Sequence, residues 1–219
     1  MTGQTLGRIV SVNVGVPRSV EWHGREVTSA IWKSPVDGPV AVRGHNLAGD
    51  RQADLRVHGG ADKAVYAYAV EDYDWWAEML PLTDFSPATF GENLTTRGFD
   101  PAQAVIGERW RVGSAILEVC QPRFPCAKLG MRMGDTAFVD RFAQARRPGA
   151  YLRIVDEGVV QADDRVTMLS RPDHGLRILD LVVGQRDRDA PTDLLKRIAA
   201  NDLVPEGYRA IATRALARR

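Results

Sequence analysis

With 219 residues, 44% of them apolar and 26% charged, the chain has the size and composition of one globular domain, alone or with a small appendage, and wholesale disorder is excluded. A formal net charge of +1 gives no global field that would draw the protein to nucleic acid or to a membrane surface. Two cysteines, Cys120 and Cys126, are too few for a disulfide framework or for an ordinary iron–sulfur cluster, and the four histidines show no zinc-site spacing. Residues 1–5 carry neither a basic n-region nor an apolar h-region, and no apolar run approaches the roughly 20 residues of a spanning helix. A soluble cytoplasmic protein without membrane contact is expected.

Val10, Val12 and Val14 alternate with Ser11 and Asn13, the period of a half-buried strand. Residues 27–31 and 39–42 are short further candidates, and Val65-Tyr66-Ala67-Tyr68-Ala69 is rich in strand formers. A helix is predicted over 71–80, acidic at its start, carrying Trp75 and Trp76 and closed by Pro81. Residues 109–119 read as a hairpin turning at Gly113-Ser114. A second helix over 136–145 has Phe138, Val139 and Phe142 on one face and ends before Pro148-Gly149. Strands over 151–155 and 165–169 follow. Many short strands with few helices predict a mostly β (α+β) fold, closed or sandwiched. From about Pro172 the pattern turns helical in three short stretches, the last two opened by Pro191 and Pro205. The expected division is a β domain over 1–170 and a three-helix C-terminal domain over 171–219. The tail holds none of the chemical motifs, so no part in a site is expected of it.

Four clusters carry chemistry. Gly49-Asp50-Arg51-Gln52-Ala53-Asp54 followed by His58-Gly59-Gly60 and Lys63 sets basic side chains around a Gly-Gly turn, where backbone N–H groups can approach an anion closely. A polar turn with a surface ion pair is the plainer reading of the same residues. Phe90-Gly91-Glu92-Asn93-Leu94 reads equally as a tight turn. In Gln121-Pro122-Arg123-Phe124-Pro125-Cys126-Ala127-Lys128-Leu129, two prolines stiffen a loop ahead of a short helical segment. Arg123 and Lys128 flank Cys126 and would favour its thiolate, the soft ligand a metal needs or a nucleophile in its own right. Cys120, at the end of an apolar strand, reads as a buried, inert thiol. Arg146-Arg147-Pro148-Gly149-Ala150-Tyr151 reads first as a solvated turn, and otherwise as a source of positive charge for an anion site.

Taken in order, the first three clusters resemble the MOSC family, named for the C-terminal domain of molybdenum cofactor sulfurases, in its stand-alone bacterial YiiM-type branch. The residues that carry the likeness are Gly49-Asp50, Ala53-Asp54, His58-Gly59-Gly60, Lys63-Ala64-Val65-Tyr66, Phe90 to Leu94, and Gln121-Pro122-Arg123, Pro125-Cys126 and Lys128-Leu129. The resemblance implies a barrel-like β domain with a small three-helix appendage. It implies the molybdenum cofactor, a metal held by a pyranopterin dithiolene, with Cys126 as the protein's metal ligand and catalytic residue. Arg51, His58, Lys63, Arg123 and Lys128 are then the candidate partners of the cofactor and its phosphate, and Asn93 of its pterin. It also implies reduction of N-hydroxylated compounds, hydroxylaminopurine bases among them. The sequence shows no NAD, flavin or iron–sulfur motif, so electrons would come from a separate reductase. A sulfur or cofactor carrier with a persulfide on Cys126 and a non-catalytic binding module are the rival readings. A homodimer is compatible with the sequence, and no recognition-helix signature points to nucleic acid.

Overall fold

The computed structural model describes residues 3–53, 59–80, 85–187 and 189–219. In chain order the first half runs β1 (Gln4–Val14), β2 (Arg18–Trp22), β3 (Arg25–Ser29), β4 (Ser34–Pro35), β5 (Val40–Arg43), β6 (Asn46–Leu47), β7 (Val65–Ala69), α1 (Val70–Met79) and β8 (Leu94–Arg97). It continues through β9 (Arg109–Val112), β10 (Ala115–Gln121), α2 (Ala127–Met133), α3 (Phe138–Ala145), β11 (Ala150–Asp156), β12 (Gly158–Val160) and β13 (Arg165–Ser170). The tail folds as α4 (Ile178–Arg186), α5 (Thr192–Ala200) and α6 (Glu206–Ala217).

The main sheet runs β13-β9-β10-β11-β7-β8-β1, and β13 pairs back to β1, so seven strands close into a barrel. All of its pairings are antiparallel except β7 with β8, where α1 lies in the crossover that a parallel neighbour requires. The fold is therefore the predicted barrel-like one. The strand predicted over 27–31 is β3, and β2 pairs with it as an isolated ribbon turning at His23-Gly24, both at positive φ (51° and 70°), the backbone of a tight hairpin turn.

Strand β7 shows how the sequence builds two cores. Its five residues are all buried. Val65 and Ala67 face the barrel interior with Ile9, Trp110, Leu117 and Val166. Tyr66 and Tyr68 face outward into an aromatic layer with Trp76 of α1, Phe90, and Phe138 and Phe142 of α3. Each fully buried ring there stabilises the fold by on the order of 2 kcal/mol. That layer fastens α1 and α3 to the strand that leads into the site.

The tail is not walled off from the barrel. Leu176, Ile178, Leu181, Leu195, Ile198, Val204 and Ala212 belong to the same apolar cluster as the barrel interior. Val105 and Arg177 form a β-bridge, and the Ile178 amide donates to the Ala104 carbonyl at 2.9 Å. Buried Glu108 accepts from Trp110 Nε1 at 2.7 Å and from Arg171 Nε at 2.7 Å, tying the barrel to the start of the tail. Among the described residues no helix is long and apolar enough to cross a membrane.

Candidate functional site: a cation-lined cleft with one half-buried thiol

Strand β10 stays paired with β11 as far as Gln121 opposite Tyr151, and the chain then leaves the sheet. Pro122 and Pro125 restrict the exit, and Cys126 stands in extended backbone (φ −136°, ψ 174°) just ahead of α2. Its carbonyl accepts from the Leu129 amide at 2.8 Å, and its thiol is half-buried. The thiol faces a cleft of about 700 Å³, counting space open to solvent. Arg51, Lys63, Asn93, Arg123, Cys126 and Lys128 all line that cleft. Segments more than 70 positions apart in sequence thus deliver six of the seven predicted site residues to one place. The seventh, His58, lies outside the described residues, as does Asp54.

The cations differ in how they are held. Arg123 is buried; its Nη1 donates to the Phe90 carbonyl and its guanidinium sits 5.0 Å from the centre of the Tyr66 ring. Arg51 is exposed at the mouth, with its backbone amide fixed to the Gly15 carbonyl at 2.9 Å. Burial pushes the Lys63 ammonium below its usual pKa, against the opposing pull of Asp62 and Cys126. Lys63 and Arg123 are both within electrostatic reach of Cys126. The backbone cradle expected at Gly59-Gly60 is different in detail. The Gly60 amide donates to Gln52 Oε1 at 2.9 Å, and the Lys63 amide donates to the Gly60 carbonyl at 3.1 Å. Those N–H groups are spent inside the protein, and the side chain of Lys63 is what the turn presents.

Asn93 is likewise committed. Its Nδ2 donates to Asp50 Oδ2 at 2.9 Å and to the Asn13 carbonyl at 3.2 Å, while its Oδ1 accepts from the Tyr66 amide at 3.1 Å. Both N–H groups are used, so what Asn93 can still offer a ligand is one Oδ1 lone pair. Its nearer task is to hold Asp50, which also accepts from the Gly15 amide at 2.8 Å and from Lys33 Nζ. Gly91 before it is at φ 76°, and a Cβ there would stand 2.9 Å from the Ile31 carbonyl oxygen, so the turn requires glycine.

Four further residues line the cleft without having been named as site residues, and of these Lys33 alone stood in no motif. Lys33 and Asp50 form an ion pair with side chains 9% and 3% exposed, and burial lowers the Lys33 pKa. Tyr66 and Tyr151 stand side by side on β7 and β11, ring centres 5.0 Å apart. Gly49-Asp50 was visible as a motif, but nothing in the pattern around Lys33 marked it. The tail also reaches the site, against expectation: the Tyr208 ring of α6 lies 5.8 Å from Phe124, and its hydroxyl donates to the Pro122 carbonyl at 3.4 Å. The shared apolar cluster brings α6 onto the cysteine loop.

Cys120 does not line the cleft. It is buried, accepts from Arg153 Nε at 3.2 Å, and burial pushes its thiol up to about 12. Arg146 pairs with Asp187, and Arg147 with Asp72 over the Trp75 ring, so neither adds charge to the cleft.

A barrel with a thiol and several cations around one cleft is suited to an anionic ligand that carries a thiophilic centre. The chain belongs to the MOSC domain family: residues 54–167 match that domain. It is 38% identical over 172 residues to the uncharacterized protein YflK of Bacillus subtilis (strain 168), covering 78% of this chain and 76% of that one. It is 34% identical over 175 residues to a protein named Reductase from Gibberella moniliformis, covering 78% of this chain but 31% of that longer protein. The crystal structure of YiiM from Geobacillus stearothermophilus superposes with a TM-score of 0.77 at 30% identity, covering 95% of this chain and 98% of that one. Within that family the chain is of the YiiM type. Its function is of the MOSC kind, tied to the molybdenum cofactor.

Proposed function

We propose that this protein is a cytoplasmic molybdenum-cofactor-dependent reductase of N-hydroxylated compounds, hydroxylaminopurine bases among them, supplied with electrons by a separate reductase. The observation that carries the reading is the donor set of the cleft: one accessible thiol among buried and half-buried cations. Among the described residues no three His, Cys, Asp or Glu side chains cluster as a metal cage. A metal here would therefore bring most of its own ligands, as a dithiolene-bound metal does, and take one sulfur from Cys126. The donor set fits that group. Arg51, Lys63, Arg123 and Lys128 would meet its phosphate, and His58 and Asn93 are the further candidates.

When bound, the cofactor supplies oxygen-atom removal coupled to two-electron transfer. The chain's own part is to hold the thiol at the end of a proline-stiffened loop and to neutralise an anionic ligand. The rings of Tyr66 and Tyr151 form one wall of the cleft, and its mouth stays open for substrate. A relative named as a reductase supports the redox reading.

The test is protein produced in a host with an intact cofactor pathway. About one molybdenum per chain and reduction of hydroxylaminopurine are expected, because one thiol-centred site is present. Cys126→Ser should lose both, since serine is a poor soft-metal ligand, while Cys120→Ser keeps most of each. Active protein free of molybdenum, or the opposite ranking of the two serines, overturns the reading. A stable added sulfur on Cys126 in the intact mass would favour a sulfur carrier instead.

A further inference from the structure

Reduction of R–NH–OH to R–NH2 breaks the N–O bond, consumes two electrons from the separate reductase and two protons, and releases water. The oxygen that is removed ends as water, so a proton must reach it within the cleft. We infer that the Tyr151 hydroxyl binds that oxygen and gives it the proton. The inference rests on the reductase reading above.

The other polar side chains of the cleft are committed or less suited: Gln52 and Asp50 are bonded within the protein, and the Ser29 hydroxyl accepts from the Ile31 amide at 3.2 Å. Lys33 is ion-paired with Asp50. Arg51 and Arg123 are guanidinium groups that do not release a proton in proteins. Both N–H groups of Asn93 are donated within the protein. Lys63 and Lys128 are assigned to phosphate. The five tyrosines of the chain separate in the same way. Tyr66 donates its hydroxyl to the Pro148 carbonyl at 2.9 Å, Tyr68 accepts from Trp76 Nε1 at 2.9 Å, Tyr73 donates to Glu92, and Tyr208 donates to the Pro122 carbonyl at 3.4 Å. Among the described residues the Tyr151 hydroxyl makes no hydrogen bond, and Tyr151 lines the cleft with Cys126.

Its surroundings suit a proton donor. Pairing with both β7 and β10 fixes the backbone, and the Tyr66 ring 5.0 Å away limits its rotation. Arg123 lines the same cleft, and its charge would stabilise the phenolate left after transfer. Water entering the open cleft then returns the proton to the phenolate and supplies the second proton.

Tyr151→Phe keeps the ring and removes the hydroxyl. In the holo-protein, kcat for hydroxylaminopurine should fall by about a hundredfold or more, the usual share of a general acid. Molybdenum per chain should stay at the wild-type value. In unreduced holo-protein with no electron donor, the equilibrium preference for the N-hydroxy compound over the amino compound should fall about two- to tenfold, one lost hydrogen bond. A merely structural role would change stability or metal content and leave that preference intact. A kcat within about twofold of wild type overturns the inference, as does a matching kcat loss at full metal content in Lys63→Ala with Tyr151→Phe unimpaired. A fully loaded wild-type protein that reduces no N-hydroxylated compound overturns the reductase reading and this inference together.

Discussion

Asp50→Ala would strip the wall of the cleft of its internal counter-charge. Three groups lose their acceptor at once: Lys33 Nζ, the Gly15 amide at 2.8 Å and Asn93 Nδ2 at 2.9 Å. Removing one member of a buried ion pair costs about 3–5 kcal/mol. The cleft lets water reach part of the vacated space, so the lower figure of about 3 kcal/mol is expected, a fall of roughly 6–12 °C in Tm for a chain of this length. The pH dependence adds a sign. Burial already lowers the Lys33 pKa from 10.5, with Asp50 the chief opposing influence. Between that depressed value and 10.5 the unfolded chain binds more protons than the folded one, so wild-type stability contributed by Lys33 rises with pH across that window. Without Asp50 the folded-state value drops further, and the rise begins at lower pH. Urea denaturation of wild type and variant across the neutral and alkaline range measures both effects. The double substitution Lys33→Met with Asp50→Leu removes the charged pair together and should recover the part of the loss due to Lys33, while the Gly15 amide and Asn93 Nδ2 still lack their acceptor. A loss below about 1 kcal/mol for Asp50→Ala, with no change in pH dependence, would refute the account of a buried and desolvated pair.

Two further outcomes are expected. Lys63→Ala should lower cofactor retention about ten- to a hundredfold, the worth of one charge-assisted contact, without altering the ranking of N-hydroxylated substrates; molybdenum content after extensive dialysis is the measure, and full retention with altered ranking would move Lys63 to the substrate side. Tyr208→Ala should loosen the cysteine loop, so that Cys126 in cofactor-free protein is alkylated several-fold faster than in wild type, because the ring packs on Phe124 two residues away; an unchanged alkylation rate would show that α6 leaves the loop alone.

The barrel was legible because half-buried strands announce themselves by alternation, as in Val10, Val12 and Val14 of β1, and by β-branched and aromatic content, as in β7. Strand β8 was hidden. Leu94-Thr95-Thr96 is fully buried, but its threonines are admitted to the interior only because their hydroxyls find Glu92 Oε1 and the Tyr68 carbonyl, partners that no local pattern displays. The ribbon strand β2 was missed for the opposite reason: its residues are mostly exposed, so no hydrophobic period marks it.

The site divides along the same line. Residues with unusual chemistry in unusual loops, such as Cys126 between Pro125 and α2, could be picked out one at a time, and they line one cleft. What a sequence does not show is which polar atoms are already spent. Asn93 was singled out as a binder, yet two hydrogen bonds bind its amide nitrogen to Asp50 and Asn13. Tyr151 was read as the end of a basic turn and the start of a strand, not as a binder, yet among the described residues its hydroxyl makes no hydrogen bond and lines the cleft. Because an unmet buried polar group is expensive and a satisfied one is inert, function in this cleft follows the donors and acceptors that remain after the fold has taken its share. By that reckoning the Cys126 sulfur and the Tyr151 hydroxyl are what the barrel holds out to a ligand within a cationic cleft, while Asn93 and Asp50 serve to keep its wall in place.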